Sequence, residues 1–510
     1  MKAPGNGTAT AALLDSMQHR ADPLADQAIA DILGPWEALP PGATAAQALG
    51  AHPEHWRRLR IVNQLIGQWA RNRDLPTWAQ RATAPGSAFA SGPDARVTRE
   101  LIARLDTFVQ AARLLPEWAD PPRLMRAEQL FIEHGALSCV LLFCSSLPEC
   151  YVIPDIAAVL QATGQLELNT EHRIRSTAAM VFPVMMVGGL TTEGGSGVAQ
   201  VLKVRLIHAT VRNLVLRGRP PQAPGTGREA AQGSEVPALA LPAGQQAMHQ
   251  VLFAHGWKPA TQGLPCNQEG LAYTLLTFGF VFLRSLRRLG LRLRPEDEEV
   301  YLHAWNVAGH VLGLERELMV GTMGQAEALF AAMRARGQSS AGPPQGGAPP
   351  PGGSPVAATP DPRPPLAQAL MQTMEQVIPL RLARPFPVLM TRWLCRRTTM
   401  RDLGLTRRVP WPSRGLFLLL MGAVRLLDAT VRLVLPQFSV SRFIGRVLGY
   451  HLMTHVLMNQ TRPLQLPQPT LDHIDSMMER WSRDPKAPRW LNTLEDRLTT
   501  KGPWPRQPAR

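Results

Sequence analysis

Cysteine is scarce in this chain of 510 residues: Cys139, Cys144, Cys150, Cys266 and Cys395 form no CxxC pair and no even-numbered framework. A disulfide-stapled scaffold is excluded, and small core thiols in a reducing compartment are the economical expectation. Acid is short as well, with 39 Asp and Glu against 54 Lys and Arg, a net charge of +15 that favours anionic partners. Only 4 tyrosines and 14 phenylalanines are spread along the chain, with no stacking platform and no zinc-ligand pattern beside the basic runs, so nucleic acid is not an expected partner. The longest uncharged apolar runs, near 135–147 and 415–424, are interrupted or too short against the roughly 20 apolar residues that span a bilayer. The first residues carry no apolar stretch of signal-peptide length. A cytoplasmic protein, free or held at a membrane surface, is expected.

Familiar catalytic signatures are missing too. There is no GxGxxG after a strand, no Walker loop and no HExxH; the GGSG at Gly194–Gly197 fails the GxSxG elbow because Val198 replaces the last glycine, and it reads as a turn. No sustained alternating run argues for a sheet, and no internal repeat is apparent.

What remains is helix. Apolar residues make up 45% and charged residues 18% of the chain, while its 47 prolines and 41 glycines cluster in a few stretches, leaving long helical patterns between them. The expected layout is an N-terminal helical extension over 1–94, a core over 95–335 with a flexible loop near 218–240, a Pro/Gly-rich linker over 336–365, and a C-terminal helical segment over 366–510. Helical patterns cover 22–33, 53–72, 95–115, 121–147, 176–189, 267–289, 295–312, 415–435 and 439–457. Trp36, Trp56, Trp69 and Trp78 are expected as packing residues.

One helix holds a histidine whose neighbours are arranged for a task. Over 201–217, VLKVRLIHATVRNLVLR, a period of 3.6 places His208 on a stripe with Val201, Val204, Val211 and Val215, with Arg205 and Arg212 beside it one turn either way. Two guanidiniums near an apolar seam need anions, and haem offers iron for the imidazole, propionates for the arginines and an apolar face for the valines. The plainer reading is a hydrogen-bonded core histidine. Arg173 and Thr177, four apart at the end of an apolar helix, either line a distal oxygen site or cap a solvated helix end. Glu299, His303 and His310 share a helix, but two turns between the histidines is too far for one metal ion.

The segment KVRLIHATVR resembles the signature helix of the rubber oxygenase (latex clearing protein) and MpaB-type oxygenase family, in which a histidine binds haem b between arginines placed as Arg205 and Arg212 are here. Arg173 and Thr177 resemble that family's Arg-x-x-x-Thr pair across the haem. Agreement continues in LPECY at 147–151, ATGQL at 162–166, CNQEGLAYTLLTFGFVFLRSLRRLG at 266–290 and EEVYLHAWNVAGHVLGL at 298–314, an ordered set over roughly 95–320. The resemblance implies an all-α, globin-like multi-helix core holding haem b with extra N- and C-terminal helices, and a reaction in which dioxygen oxidises or cleaves an unsaturated, isoprenoid-like or lipidic substrate. His208 would ligate the metal, Arg205 and Arg212 would hold propionates or brace the helix, and Arg173 and Thr177 would line the dioxygen site. Where some rubber oxygenases carry a lysine as a resting ligand this chain has Ser176, which implies an open or water-filled distal site. Glu149 and Glu167 are candidates for the family's catalytic carboxylate. A second reading is a non-catalytic helical protein at a membrane surface, with Arg425 and Arg432 on one face of the helix at 415–435; the plainer role of that helix is to close the core.

Overall fold

In the computed structural model, the described residues are 6–434, apart from 38–41, 43, 135–136, 163–169, 219, 221–234, 242–246, 341–360, 377 and 379, together with 493. Within them the protein is all-α. Helices follow one another from Asn6–Gln18 to Trp411–Val434, and the only β feature among the described residues is an isolated antiparallel bridge between Val236 and Trp257.

Local chemistry sets the helix ends. In Pro23–Leu33, Asp22 caps the first turn by accepting from the Ala25 amide, Pro23 supplies a pre-set φ, and Gly34 closes the helix at φ +79°. The buried face is Ala25, Asp26, Ala28, Ile29, Ile32 and Leu33, so a carboxylate sits inside an apolar stripe. The helix of His208, Gly197–Leu216, is buried on most of its circumference and packs between Thr170–Met185, Pro23–Leu33 and Pro295–Leu312, as expected of a helix with little polar surface. Its entry is the expected turn. A Cβ on Gly195 would stand 2.2 Å from the Gly188 carbonyl, and Asn72 ties the loop by donating to the Gly189 and Thr192 carbonyls.

Two helices differ from expectation. The pattern at 267–289 divides into Gln268–Phe278 and Phe280–Leu289 at Gly279, where a Cβ would meet the Trp305 ring at 3.4 Å. The 121–147 pattern becomes Pro121–His134 and Leu137–Leu141, followed by a π-helical turn, Leu142–Ser146.

The expected boundaries at residues 94 and 336 do not separate cores. One buried cluster runs from Leu14 to Phe417, with Trp69 and Trp78 fully buried in it. Helices after the linker are bonded into its centre: Arg334 donates to Thr398 Oγ1 at 2.8 Å, and Thr399 donates to the buried Glu149 at 3.2 Å. The linker itself is shorter than expected, because Met323–Ser340 and Arg363–Gln376 intrude on its two ends. Most of the loop near 218–240, and the helix expected at 439–457, lie outside the described residues. Among the described side chains of Trp411–Val434, Ser413 and Phe417 are buried and Met421 packs against the core, while Trp411, Leu418, Leu419 and Leu426 are exposed.

Candidate functional site

His208 and Thr177 line the same cavity, of about 1060 Å³. It is at the upper end of the size range of small-molecule and cofactor sites. Val204 and Val211, one turn before and after His208, join the imidazole on one wall, as the helical stripe requires. Thr177 and Met180 reach the cavity from Thr170–Met185, and Leu275 and Phe278 from Gln268–Phe278. These side chains make an apolar chamber around a half-buried imidazole and a half-buried hydroxyl.

Elsewhere the lining is ionic. Arg336 donates to Asp15 at 2.7 Å and to Glu269 at 3.1 Å, and Asp155 and His19 also face the cavity. Burial pushes the Glu269 carboxyl up to about 7, further raised by Asp15 and Asp155 and partly offset by Arg336. Burial likewise raises Asp155 to about 6 against a hydrogen bond from Gln262. The described lining thus carries three carboxylates and one guanidinium in a chain whose net charge is +15.

Neither Arg205 nor Arg212 lines this cavity. Arg205 forms a two-pronged pair with Asp22, Nε to Oδ2 at 2.5 Å and Nη2 to Oδ1 at 2.9 Å, and donates to the Val311 carbonyl at 3.1 Å. Arg212 donates to Asp26 at 2.8 Å and to the Cys266 carbonyl at 2.7 Å. Both guanidiniums are directed to the Pro23–Leu33 helix and its Asp22 cap. Gly313, at φ +91°, closes over the first pair, and a Cβ there would come within 2.5 Å of Asp22 Oδ2.

The other candidates separate. Arg173 lies in Thr170–Met185 one turn before Thr177, with a side chain outside the described residues, as is Glu167 altogether. Glu149 is fully buried and is not among the residues that line the cavity; Arg284 holds it at 2.8 Å and Arg334 at 2.9 Å. His303 accepts from the Asp120 amide at 3.1 Å, which occupies its Nε2, and no group of three metal-ligating side chains forms among the described residues. Sequence reasoning missed Asp155, Glu269 and Arg336 in the lining, and it missed Asp22 and Asp26. Its one available signal for the last was a carboxylate on an apolar stripe.

The catalytic-domain model described as "ER-bound oxygenase mpaB/B'/Rubber oxygenase" matches residues 136–432. The chain belongs to this family. The match begins later than the expected resemblance and continues through the linker to the Trp411–Val434 helix, in keeping with the shared core. A curated relative in this oxygenase family, the rubber oxygenase of Streptomyces sp. (strain K30), is 24% identical over 311 residues. That alignment covers 58% of this chain and 62% of the relative, so the chain matches less than two thirds of that protein's length. A solved structure of latex clearing protein LCP in the closed state aligns over 91% of this chain and 90% of its own, with 18% identity and a TM-score of 0.48.

Proposed function

We propose that this oxygenase is haem b-dependent, with His208 as the iron ligand, and that it uses dioxygen to oxidise or cleave an unsaturated hydrophobic molecule. The observation that carries the reading is the cavity itself, which joins His208 to Thr177 within largely apolar walls. A single imidazole on an apolar wall is what a haem iron and macrocycle need. Arg205 and Arg212 are paired with Asp22 and Asp26, and Arg336, the one guanidinium in the described lining, is paired with Asp15 and Glu269, so propionates would be held only by opening one of these pairs. When bound, haem would supply the redox-active iron at which dioxygen is used.

The chain's own residues account for the rest. Val204, Val211 and Phe278 exclude water, which protects a reactive site from unproductive oxidation. The Thr177 hydroxyl, with Arg173 one turn before it on the same helix, offers polar contact on that otherwise apolar wall. Glu269 and Asp155, with carboxyls near 7 and 6, are suited to take up and return a proton around neutral pH. A lipidic or isoprenoid-like alkene smaller than a polymer suits the apolar part of the chamber. The five free thiols support a reducing, cytoplasmic setting. The alternative of a non-catalytic protein at a membrane surface is favoured by the exposed face of Trp411–Val434, but leaves the cavity without a role.

The test is an ultraviolet–visible spectrum and pyridine haemochrome of protein expressed with ample haem. Stoichiometric haem b in the native chain and its loss in His208→Ala, with helix content retained, is the expected outcome. An unchanged haem spectrum in that variant would sink the assignment of His208, and failure of the native chain to take up haem would sink the cofactor.

A further inference from the structure

We propose that residues 378–426 form a docking surface for anionic phospholipid bilayers, with the helix Trp411–Val434 lying along the membrane interface. This goes beyond the oxygenase reading and does not depend on haem.

The stretch 378–426 contains ten arginines and no lysine against a single acid, Asp402, by sequence a net +9 of the chain's +15. Arg407 and Arg396 are paired with Glu375 and Glu327 outside it, and Arg381, Arg384, Arg414 and Arg425 have no acid partner among the described residues. The helix is fixed on one side: Phe417 packs on Phe386 at 5.4 Å and on Trp393 at 6.4 Å, Ser413 is buried, and Arg425 donates to the Arg288 carbonyl at 2.6 Å. The other side is bare. At 3.6 residues per turn, Trp411, Leu418, Leu419 and Leu426 fall on one stripe within roughly 100°. Their exposures are 83%, 55%, 66% and 68%. Gly415 and Gly422 lie between them with open space where a Cβ would be, and Arg414 and Arg425 flank the stripe. Leu380, 70% exposed, and Leu382 add apolar surface on the turn that leads to Phe386, beside the exposed Arg381 and Arg384. An apolar stripe headed by a tryptophan and edged by arginines is the pattern of an interfacial helix.

Charge selects the occupant. The following residues, 435–510, are themselves net +5 by sequence, and a second copy would set one arginine-rich surface against another. Nucleic acid would answer the arginines but not the leucines. An anionic bilayer answers both, through its headgroups and its acyl boundary.

Co-sedimentation of the full chain with phosphatidylcholine vesicles, with and without phosphatidylserine, tests the proposal. Binding to the phosphatidylserine vesicles, weakened by salt and roughly tenfold or more tighter than to phosphatidylcholine alone, is expected. Leu418→Asp with Leu419→Asp should abolish it, and Arg381→Gln, Arg384→Gln or Arg414→Gln should each lower it by roughly fivefold. All of these side chains are exposed, so an unchanged melting curve verifies the fold of each variant. Equal binding to both vesicle types, no binding to either, or indifference to the substitutions overturns the proposal. So does lipid-free self-association that Leu418→Asp with Leu419→Asp removes, which would assign the face to a second copy.

Discussion

Arginine is used in two opposite ways at the two ends of this molecule. In the core, Arg205, Arg212, Arg284 and Arg334 are buried, and their counter-charges are Asp22, Asp26 and Glu149. In the stretch 378–426, ten arginines share one internal acid; Arg407 and Arg396 find Glu375 and Glu327 outside it, while Arg381, Arg384, Arg414 and Arg425, on the turn and helix that carry the leucines, are exposed. A guanidinium deep in the protein is therefore a sign of long-range pairing, and a guanidinium without nearby acid is a sign of a partner outside the chain. For the core arginines beside His208, the sequence left propionate binding and bracing both open, because their pairing is invisible locally.

The sharpest way to break this contrast is Glu149→Gln. It leaves two buried guanidiniums without a counter-charge and should cost about 3–5 kcal/mol in urea unfolding, a large share of the usual 5–15 kcal/mol of a folded protein. A loss below about 1 kcal/mol would show that the pairing is not what holds this part of the core. Asp26→Asn should cost about 3 kcal/mol, somewhat less because Arg212 keeps the Cys266 carbonyl. Replacing the pair together, Arg212→Met with Asp26→Leu, should recover most of that loss, which a double-mutant cycle would measure.

Glu128 supplies the converse case, a buried carboxylate bonded to the Gly188 and Gly189 amides with no ion pair among the described residues. Burial raises its carboxyl from 4.5 to about 7. The folded state then holds this proton more tightly than the unfolded chain does, so its contribution is full below about pH 4.5, falls as pH rises, and is lost above about pH 7. The loss should amount to roughly 3 kcal/mol at most. Glu128→Gln should flatten the stability profile over that window relative to the native chain; parallel profiles would show that Glu128 titrates normally. The smallest effect belongs to the surface set, where Arg414→Gln should change unfolding free energy by less than about 0.5 kcal/mol while weakening vesicle binding.

The helix of His208 was legible in sequence almost to its ends, because valine spacing and the preceding glycine turn are local features. So was the helix at 22–33, whose pattern reaches to its Asp22 cap. The pairing of Asp22 with Arg205 and of Asp26 with Arg212 was not, since it joins residues 183 and 186 apart and no periodicity carries information over such a distance. The break at Gly279 was hidden by a run apolar on both sides of it. His208 and Thr177 were readable as residues, but the cavity they share, and the acidic lining around Glu269, arise from five or more separate chain segments.

The pairing of the first helices with the helix of His208 also bears on biosynthesis. At roughly 5–20 residues per second, Asp22 leaves the ribosome some 10–40 s before Arg205 does. The anions that the two core cations need are thus already present when those cations first seek burial. A fragment confined to the family-matched residues 136–432 would be born without them. Its His208 helix would carry two charges with no carboxylate to receive them, and such a fragment should misfold or aggregate although it contains every residue that the family model recognises.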